Sequence, residues 1–367
     1  MKVDTISLNS VRLNTIALNH IGEIRSGGGG SKPSPIPQWI REHVVFYYDV
    51  KKQGATNETL KESAYLQDLS GKGRRMKLNN FLFAEMSGVG GYNDNFSNWR
   101  TDSNNGAVKI ESDSSIVIQS VKIEYRGVLY QDSAKKATLK CNITGITEEL
   151  KGKLIFRYTD AEGSKNITLE NGYFELNSSE YEGLSGWYGF TSKQPIDNCN
   201  ITITQIPEYP GALVTDGADD YGLVENLSSG VKMLFMTVNP IGDYNSRKDY
   251  YSQIKKYGDD FRVIAYPNDI AYNYENPNNV TYINGVLNKS IYPEELFDIK
   301  HTFTIVNNAV PLSEDRTCVF FRYNLGGDYY SRIAFYNSIA FDFIPTEADG
   351  FTEQELIDYV ITNIIGQ

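Results

Sequence analysis

The chain has 367 residues, of which 40% are apolar and 13% aromatic, and it carries a formal net charge of −11. The apolar share excludes a disordered chain, and the length exceeds what one small sandwich needs. The acidic balance excludes a nucleic-acid binder, because phosphate contacts require clustered Lys and Arg, and no run approaches the roughly 20 apolar residues of a membrane-spanning helix.

The first segment, residues 1–26, repeats a five-residue unit: Val3-Asp4-Thr5-Ile6-Ser7, Leu8-Asn9-Ser10-Val11-Arg12, Leu13-Asn14-Thr15-Ile16-Ala17, Leu18-Asn19-His20-Ile21-Gly22. Each unit is apolar at its first and fourth places. So short a repeat cannot bury its own side chains and needs stacked neighbours or partner chains. Leu8, Val11, Leu13, Ile16, Leu18 and Ile21 are therefore the candidate anchoring residues; an amphipathic strand lying on the main body is the other reading. Met1 to Asn19 alternates apolar and polar residues and does not read as a secretory signal.

Residues 27–38 form a joint. Gly27 to Gly30 with Ser31 is flexible, and Pro33, Pro35 and Pro37 stiffen the adjoining stretch into an extended arm.

From His43 the chain reads as strands and turns. Val44 to Tyr48 is a short buried strand, Asp68 to Gly73 a tight turn, and Met76 to Phe83 is extended again. Residues 107–206 carry a closely spaced run of strands: Ile116 to Ile123, Ala137 to Ile143, Leu154 to Tyr158, Ile167 to Leu169, Gly172 to Leu176 and Cys199 to Ile206. Their number and spacing suit a small β-sandwich. Beyond Pro210, strands are expected at Val231 to Val238, Arg262 to Tyr266, His301 to Val306, Thr317 to Tyr323 and Ser331 to Phe343. A short helix is expected over Asp249 to Tyr257. A terminal helix begins at Thr352, with Glu355 completing a capping box and Leu356, Tyr359, Val360 and Ile364 on one face.

Three motifs, in this order, resemble the laminin-G-like, concanavalin-type jelly roll. Phe46-Tyr47-Tyr48-Asp49 leads to Asp68-Leu69-Ser70-Gly71-Lys72-Gly73, with Lys72 where Asn is usual. Thr215-Asp216-Gly217-Ala218-Asp219-Asp220-Tyr221 comes second, with Thr215 replacing an apolar residue. Arg332 to Asn337 and then Phe351 to Leu356 resemble the closing strand and helix start. The resemblance implies an all-β fold: a concanavalin-like jelly-roll sandwich split over residues 39–106 and 207–367, with an inserted smaller β-sandwich at 107–206. A short C-terminal helix and the extended N-terminal anchor complete it. Insertion at a loop is tolerated because closure entropy grows slowly with length. Leu78 to Phe81, Ser87 to Tyr92 and Tyr209 to Tyr221 also resemble stretches of fibre and appendage proteins of tailed phages of gut Bacteroides.

Catalytic patterns are missing from the sequence. Retaining hydrolases of this fold need Glu-x-Asp-x-x-Glu on one strand, which no expected strand carries. His20, His43 and His301 stand apart without recognisable Ser or Cys partners. Cys141, Cys199 and Cys318 show neither CxxC spacing nor an even count, so buried free thiols are expected.

The expected function is therefore non-enzymatic: a phage fibre or decoration appendage on the virion surface. It is expected to be a homo-oligomer, in the first place a trimer, docked through its N-terminus onto a capsid or tail protein and displaying a head that binds host or mucin glycan. A bacterial lectin or a polysaccharide hydrolase on the same fold are the alternatives. Tyr92, Trp99, Tyr329 and Tyr330 lie in or beside expected loops and are the candidate sugar contacts. Asp68, Asp216, Asp219 and Asp220 are candidates for calcium, which the resemblance implies near these turns. The competing role for these carboxylates is to accept turn amides.

Overall fold

The computed structural model describes residues 41–131, 138–160, 162–177, 187–225, 227, 230–242, 253–256, 259–262, 279–287, 298–307, 318–321 and 330–366. Leu8, Val11, Leu13, Ile16, Leu18 and Ile21, expected to anchor the chain, and Tyr329, an expected sugar contact, lie outside them.

The described chain is predominantly β, with antiparallel pairing throughout. In chain order the strands are β1 (Val44–Asp49), β2 (Tyr65–Leu66), β3 (Met76–Asn79), β4 (Gly88–Val89), β5 (Arg100–Thr101), β6 (Gly106–Ser112), β7 (Ser115–Val121) and β8 (Leu129–Gln131). They continue with β9 (Thr138–Thr144), β10 (Leu154–Asp160), β11 (Gly163–Thr168), β12 (Gly172–Asn177), β13 (Tyr188–Ser192), β14 (Ile201–Gln205), β15 (Leu213–Val214) and β16 (Tyr221–Val224). Last come β17 (Met233–Pro240), β18 (Gln253–Lys256), β19 (Asp259–Arg262), β20 (Asn279–Ile283), β21 (Val286–Leu287), β22 (His301–Asn307), β23 (Cys318–Phe320) and β24 (Ile333–Phe341).

Two compact units share these strands. Of the described residues, the larger holds those up to Phe83, Ser87–Gly90 and those from Gly211 onward; the smaller holds Ala84–Met86 and those between Gly91 and Pro210. The smaller unit thus begins well before residue 107. Phe96 and Trp99 are buried in its core, and Arg100 and Thr101 pair with Tyr130 and Leu129.

In the larger unit an eight-stranded sheet runs β21-β20-β22-β17-β24-β15-β4, with β1 also paired to β24. A four-stranded sheet runs β2-β3-β16-β23. The first core lies between them: Phe46, Tyr48, Met236, Phe303 and Phe335 of the large sheet meet Met76, Leu78, Val224 and Phe320 of the small one. Phe320 packs edge-on against Phe46, Tyr48 and Phe335 at centroid distances of 6.0, 6.1 and 6.0 Å. The opposite face of the large sheet is also covered. Tyr47, Phe235, Ile339 and Phe341 pack against Leu356, Ile357, Val360, Ile364 and Ile365 of the C-terminal helix. Burial on both faces explains why β1 and β17 show no apolar–polar alternation: every residue of both strands is buried.

Strands separated by the smaller unit hydrogen-bond one another. Tyr47 is opposite Ile339, Gly222 opposite Leu78, and Leu213 opposite Val89. Thr215 stands at an expected apolar position for a specific reason. Its side chain is fully buried, and its hydroxyl donates to the Ser331 carbonyl at 2.6 Å and accepts from the Ile333 amide at 3.0 Å.

The smaller unit is a sandwich of two five-stranded sheets, β11-β10-β13-β8-β5 and β12-β9-β14-β7-β6. Here the strands alternate: β7 and β14 bury Ile116, Ile118, Ile201 and Ile203 against Phe156, Tyr188 and Phe190 of the facing sheet.

One expected helix is corrected, and one helix was not expected. Gln253–Lys256 is not helical but forms a hairpin with Asp259–Arg262, Ile254 opposite Phe261, which satisfies the backbone across a short connection. Conversely, Asn57–Ser63 is a short helix. Thr56 and Thr59 form a capping box, and Ala64 ends the helix in the left-handed region at φ 55°. The terminal helix runs over Glu353–Val360 with Thr352 as N-cap, then widens into a π-type turn over Ile361–Ile365.

Candidate functional site

Among the described residues, one group of carboxylates comes together: the ligand atoms of Asp216, Asp219 and Asp220 lie within 4.8 Å of one another. The turn between β15 and β16 positions them. Gly217 takes φ +77°, a conformation that favours glycine, and the Asp216 Oδ1 accepts from the Ala218 amide at 2.7 Å. Asp220 is fully buried; its Oδ1 accepts from the Ser87 hydroxyl and its Oδ2 from the Asp216 amide, both at 3.0 Å. Burial pushes its carboxyl up to about 7, against the hydrogen bonds from Asp216 and Ser87, and the charges of Asp216 and Asp219 push in the same direction as burial. The donor set is all oxygen and anionic, which fits a hard cation such as calcium. Asp219 is exposed and Asp216 half-buried, so these two carboxylates would meet the ion from the solvent side.

Asp68 does not join this group, which corrects its assignment as a cation ligand. It is buried, and both its oxygens are engaged. Oδ1 accepts from the amides of Tyr47 (3.0 Å) and Ser70 (2.9 Å), and Oδ2 from the amide of Arg74 (2.9 Å). It therefore pins the Asp68–Gly73 turn to β1. Arg74 completes the clasp by donating from Nη1 to the Val45 carbonyl at 2.6 Å.

Trp99 is also corrected. It is 4% exposed and packs against Phe96, Tyr188 and Phe190 at 5.3, 5.4 and 5.8 Å, so it belongs to the core of the smaller unit and offers no sugar face. The preceding Asn95 directs it inward: its side chain caps the Phe96–Asn98 turn through the Ser97 amide. Tyr92 is half-buried in the smaller unit, its amide bonded to the Glu85 carbonyl; Tyr330 is half-buried in the larger.

A second group of shifted residues escaped the sequence reading. Tyr47, Asp49, Lys52, Lys300 and Tyr336 meet beside the C-terminal helix. Burial raises Asp49, and the neighbouring Lys52 and Lys300 only partly offset it. Burial likewise lowers Lys52 and Lys300. Lys300 Nζ sits 4.0 Å from the Tyr336 ring centroid. The donors here point at the protein's own backbone. Lys52 Nζ bonds the Ile364 carbonyl at 2.5 Å and Asn337 Nδ2 the Ile365 carbonyl at 3.2 Å. Shifted groups often mark active sites, but these contacts make a clasp for the helix end. Only Asp49 carried a signal, as a carboxylate closing an apolar strand.

None of the three cysteines is in a disulfide; Cys141 and Cys318 are buried and Cys199 is half-buried. Comparisons of the chain with family models, with curated proteins and with solved structures find no match.

Proposed function

We propose that this chain is a structural appendage of a tailed-phage virion, a fibre or decoration protein. In this reading it is held to the capsid or tail through residues 1–26 and displays a concanavalin-type jelly roll that binds glycan of the host or of mucin. The supporting observation is the strand pairing of the larger unit. The three family-like motifs lie far apart in sequence, yet β1 pairs with β24, β3 with β16 and β4 with β15. The motif turns, at Asp68–Gly73 and Asp216–Asp220, are thereby carried by one β-sandwich body. The pentad repeat and the Gly/Pro joint supply the anchor, and a repeat that buries nothing alone calls for assembly with other copies, in the first place a trimer.

Light scattering on the full chain and on a chain starting at residue 27 tests the anchor. A trimer that falls to a monomer on truncation supports it; a monomer in both forms overturns it. A glycan array with the full chain tests the head, and retention of no glycan defeats that half of the reading.

A further inference from the structure

The smaller unit carries a half-buried aromatic and arginine cluster on the face of the β11-β10-β13-β8-β5 sheet opposite its core. Strand alternation fixes its orientation. Phe156, Tyr158, Tyr188 and Phe190 point into the core, so Arg157 and Gly189 point away from it. Tyr130 is opposite Gly189, and Gly189 opposite Arg157, which places all three in one row across the sheet. Trp187, two residues before Gly189, lies on the same side.

Arg157 lies beside two rings: its Cζ is 5.5 Å from the Tyr125 ring centroid and 5.8 Å from that of Trp187. Trp187 in turn meets Tyr130 edge-on at 5.9 Å. The backbone is shaped around these side chains. A Cβ at Gly189 would lie 2.6 Å from the Tyr130 Cα, and one at Gly127 2.8 Å from the Tyr130 ring, so glycine at both positions gives that ring its seat. Tyr125 is exposed and adopts φ 56°, costly for a bulky side chain. Its carbonyl accepts from Arg157 Nη1 at 3.4 Å.

The Tyr125 carbonyl takes one bond from Nη1, and the other N–H groups of the guanidinium can serve a partner. In a chain of net charge −11, no described carboxylate lies within ion-pair distance of Arg157, and exposed Arg126 follows Tyr125 directly. An anionic ligand with an apolar face complements this surface. Single-stranded nucleic acid stacks on such rings too, but the overall charge opposes a polyphosphate.

We propose that Tyr125, Arg157, Trp187 and Tyr130 form a subsite for a carboxylated pyranose of an acidic glycan. The sugar C–H face stacks on Trp187 with the near-perpendicular Tyr130 ring bounding the subsite, and the carboxylate takes the Arg157 edge as a bidentate pair. This rests on the glycan-binding reading and moves the contact to the smaller unit.

The test titrates the full chain with an oligogalacturonate, with the same oligosaccharide after reduction of its carboxyls, and with a single-stranded oligonucleotide, read by calorimetry. The expected result is saturable binding of the acid form, weakened at least tenfold by carboxyl reduction and at least tenfold by Arg157→Ala or Trp187→Ala. Tyr173→Ala, in the other sheet of the unit, leaves it unchanged. Arg157→Lys keeps the charge but not the fork, so an intermediate loss is expected even if the alanine variants fold poorly. Equal binding of the reduced sugar, binding untouched by Arg157→Lys and Trp187→Ala, or preference for the oligonucleotide overturns the proposal. If neutral glycans alone bind the full chain, this subsite falls while the glycan-binding reading stands; if no glycan binds, both fall.

Discussion

Lys52 and Ile364, 312 positions apart, are joined by a hydrogen bond from the ammonium to the last-turn carbonyl of the C-terminal helix. The same ammonium donates to the Tyr47 hydroxyl at 3.1 Å, and that hydroxyl donates to Asp49 Oδ2 at 3.1 Å. One cation therefore satisfies a helix end and a buried strand at once, and it sits where the helix dipole is negative.

Replacing Lys52 by Met keeps much of the apolar stem but leaves Asp49 without its nearest cation and Ile364 with only the longer bond from the Tyr47 hydroxyl, at 3.4 Å. A loss of about 2 kcal/mol is expected, the cost of a charged hydrogen bond with its partners left buried. Amide exchange at residues 361–366 should accelerate more than at β17. Unchanged protection there would show that apolar packing alone holds the helix.

Asp220 gives the larger unit a distinctive pH dependence. Its carboxyl lies at about 7 in the fold against 3.8 as the ordinary value, so the folded state holds a proton that the unfolded state has released. Its contribution to stability is therefore fully present below about 3.8, falls as pH rises between the two values, and is lost above about 7. Asp220→Asn should flatten this fall, raising the Tm more at pH 8 than at pH 5. Calcium at pH 8 should stabilise the natural protein and not the variant. A parallel pH profile for both proteins would refute the shift, and an equal calcium response would remove the Asp216–Asp220 turn as the binding place.

Trp99 is expected to behave as a core residue. Trp99→Ala should cost about 3–5 kcal/mol from the cavity it opens. Trp99→Phe should cost much less, since the Trp99 Nε1 has no described partner and its removal offsets part of the lost packing. Thermal unfolding of the two variants measures the difference, and glycan retention by the Phe variant should equal that of the natural chain.

Gly145 and Thr352 test local backbone rules. A Cβ at Gly145 would lie 2.2 Å from the Asn200 carbonyl oxygen at φ +90°, so Gly145→Ala should destabilise by about 3 kcal/mol. Thr352 closes a reciprocal capping box with Glu355, and Thr352→Ala should cost about 1 kcal/mol. Chemical denaturation gives both values; a smaller loss at Gly145 than at Thr352 would contradict the steric argument.

The sequence by itself determined the β character, most strand positions and the terminal helix with its cap, because each is written in neighbours a few residues apart. Val44 to Tyr48 is apolar or aromatic without a break, and Thr352 precedes Glu355 by one helical turn. It also determined that Asp216, Asp219 and Asp220 share one turn, as adjacency requires. Tertiary structure alone decided the rest. Trp99 and Trp187 stand in equally loop-like sequence, yet one fills a core and the other lies half-buried outside it, because the side of a sheet on which a residue lies depends on strand register. Asp68 and Asp220 are both turn carboxylates. Amides of β1 and of its own turn occupy the first, and a buried position between other acids raises the second. Such differences arise from which distant strands pair, as β1 does with β24, and no local pattern encodes that choice.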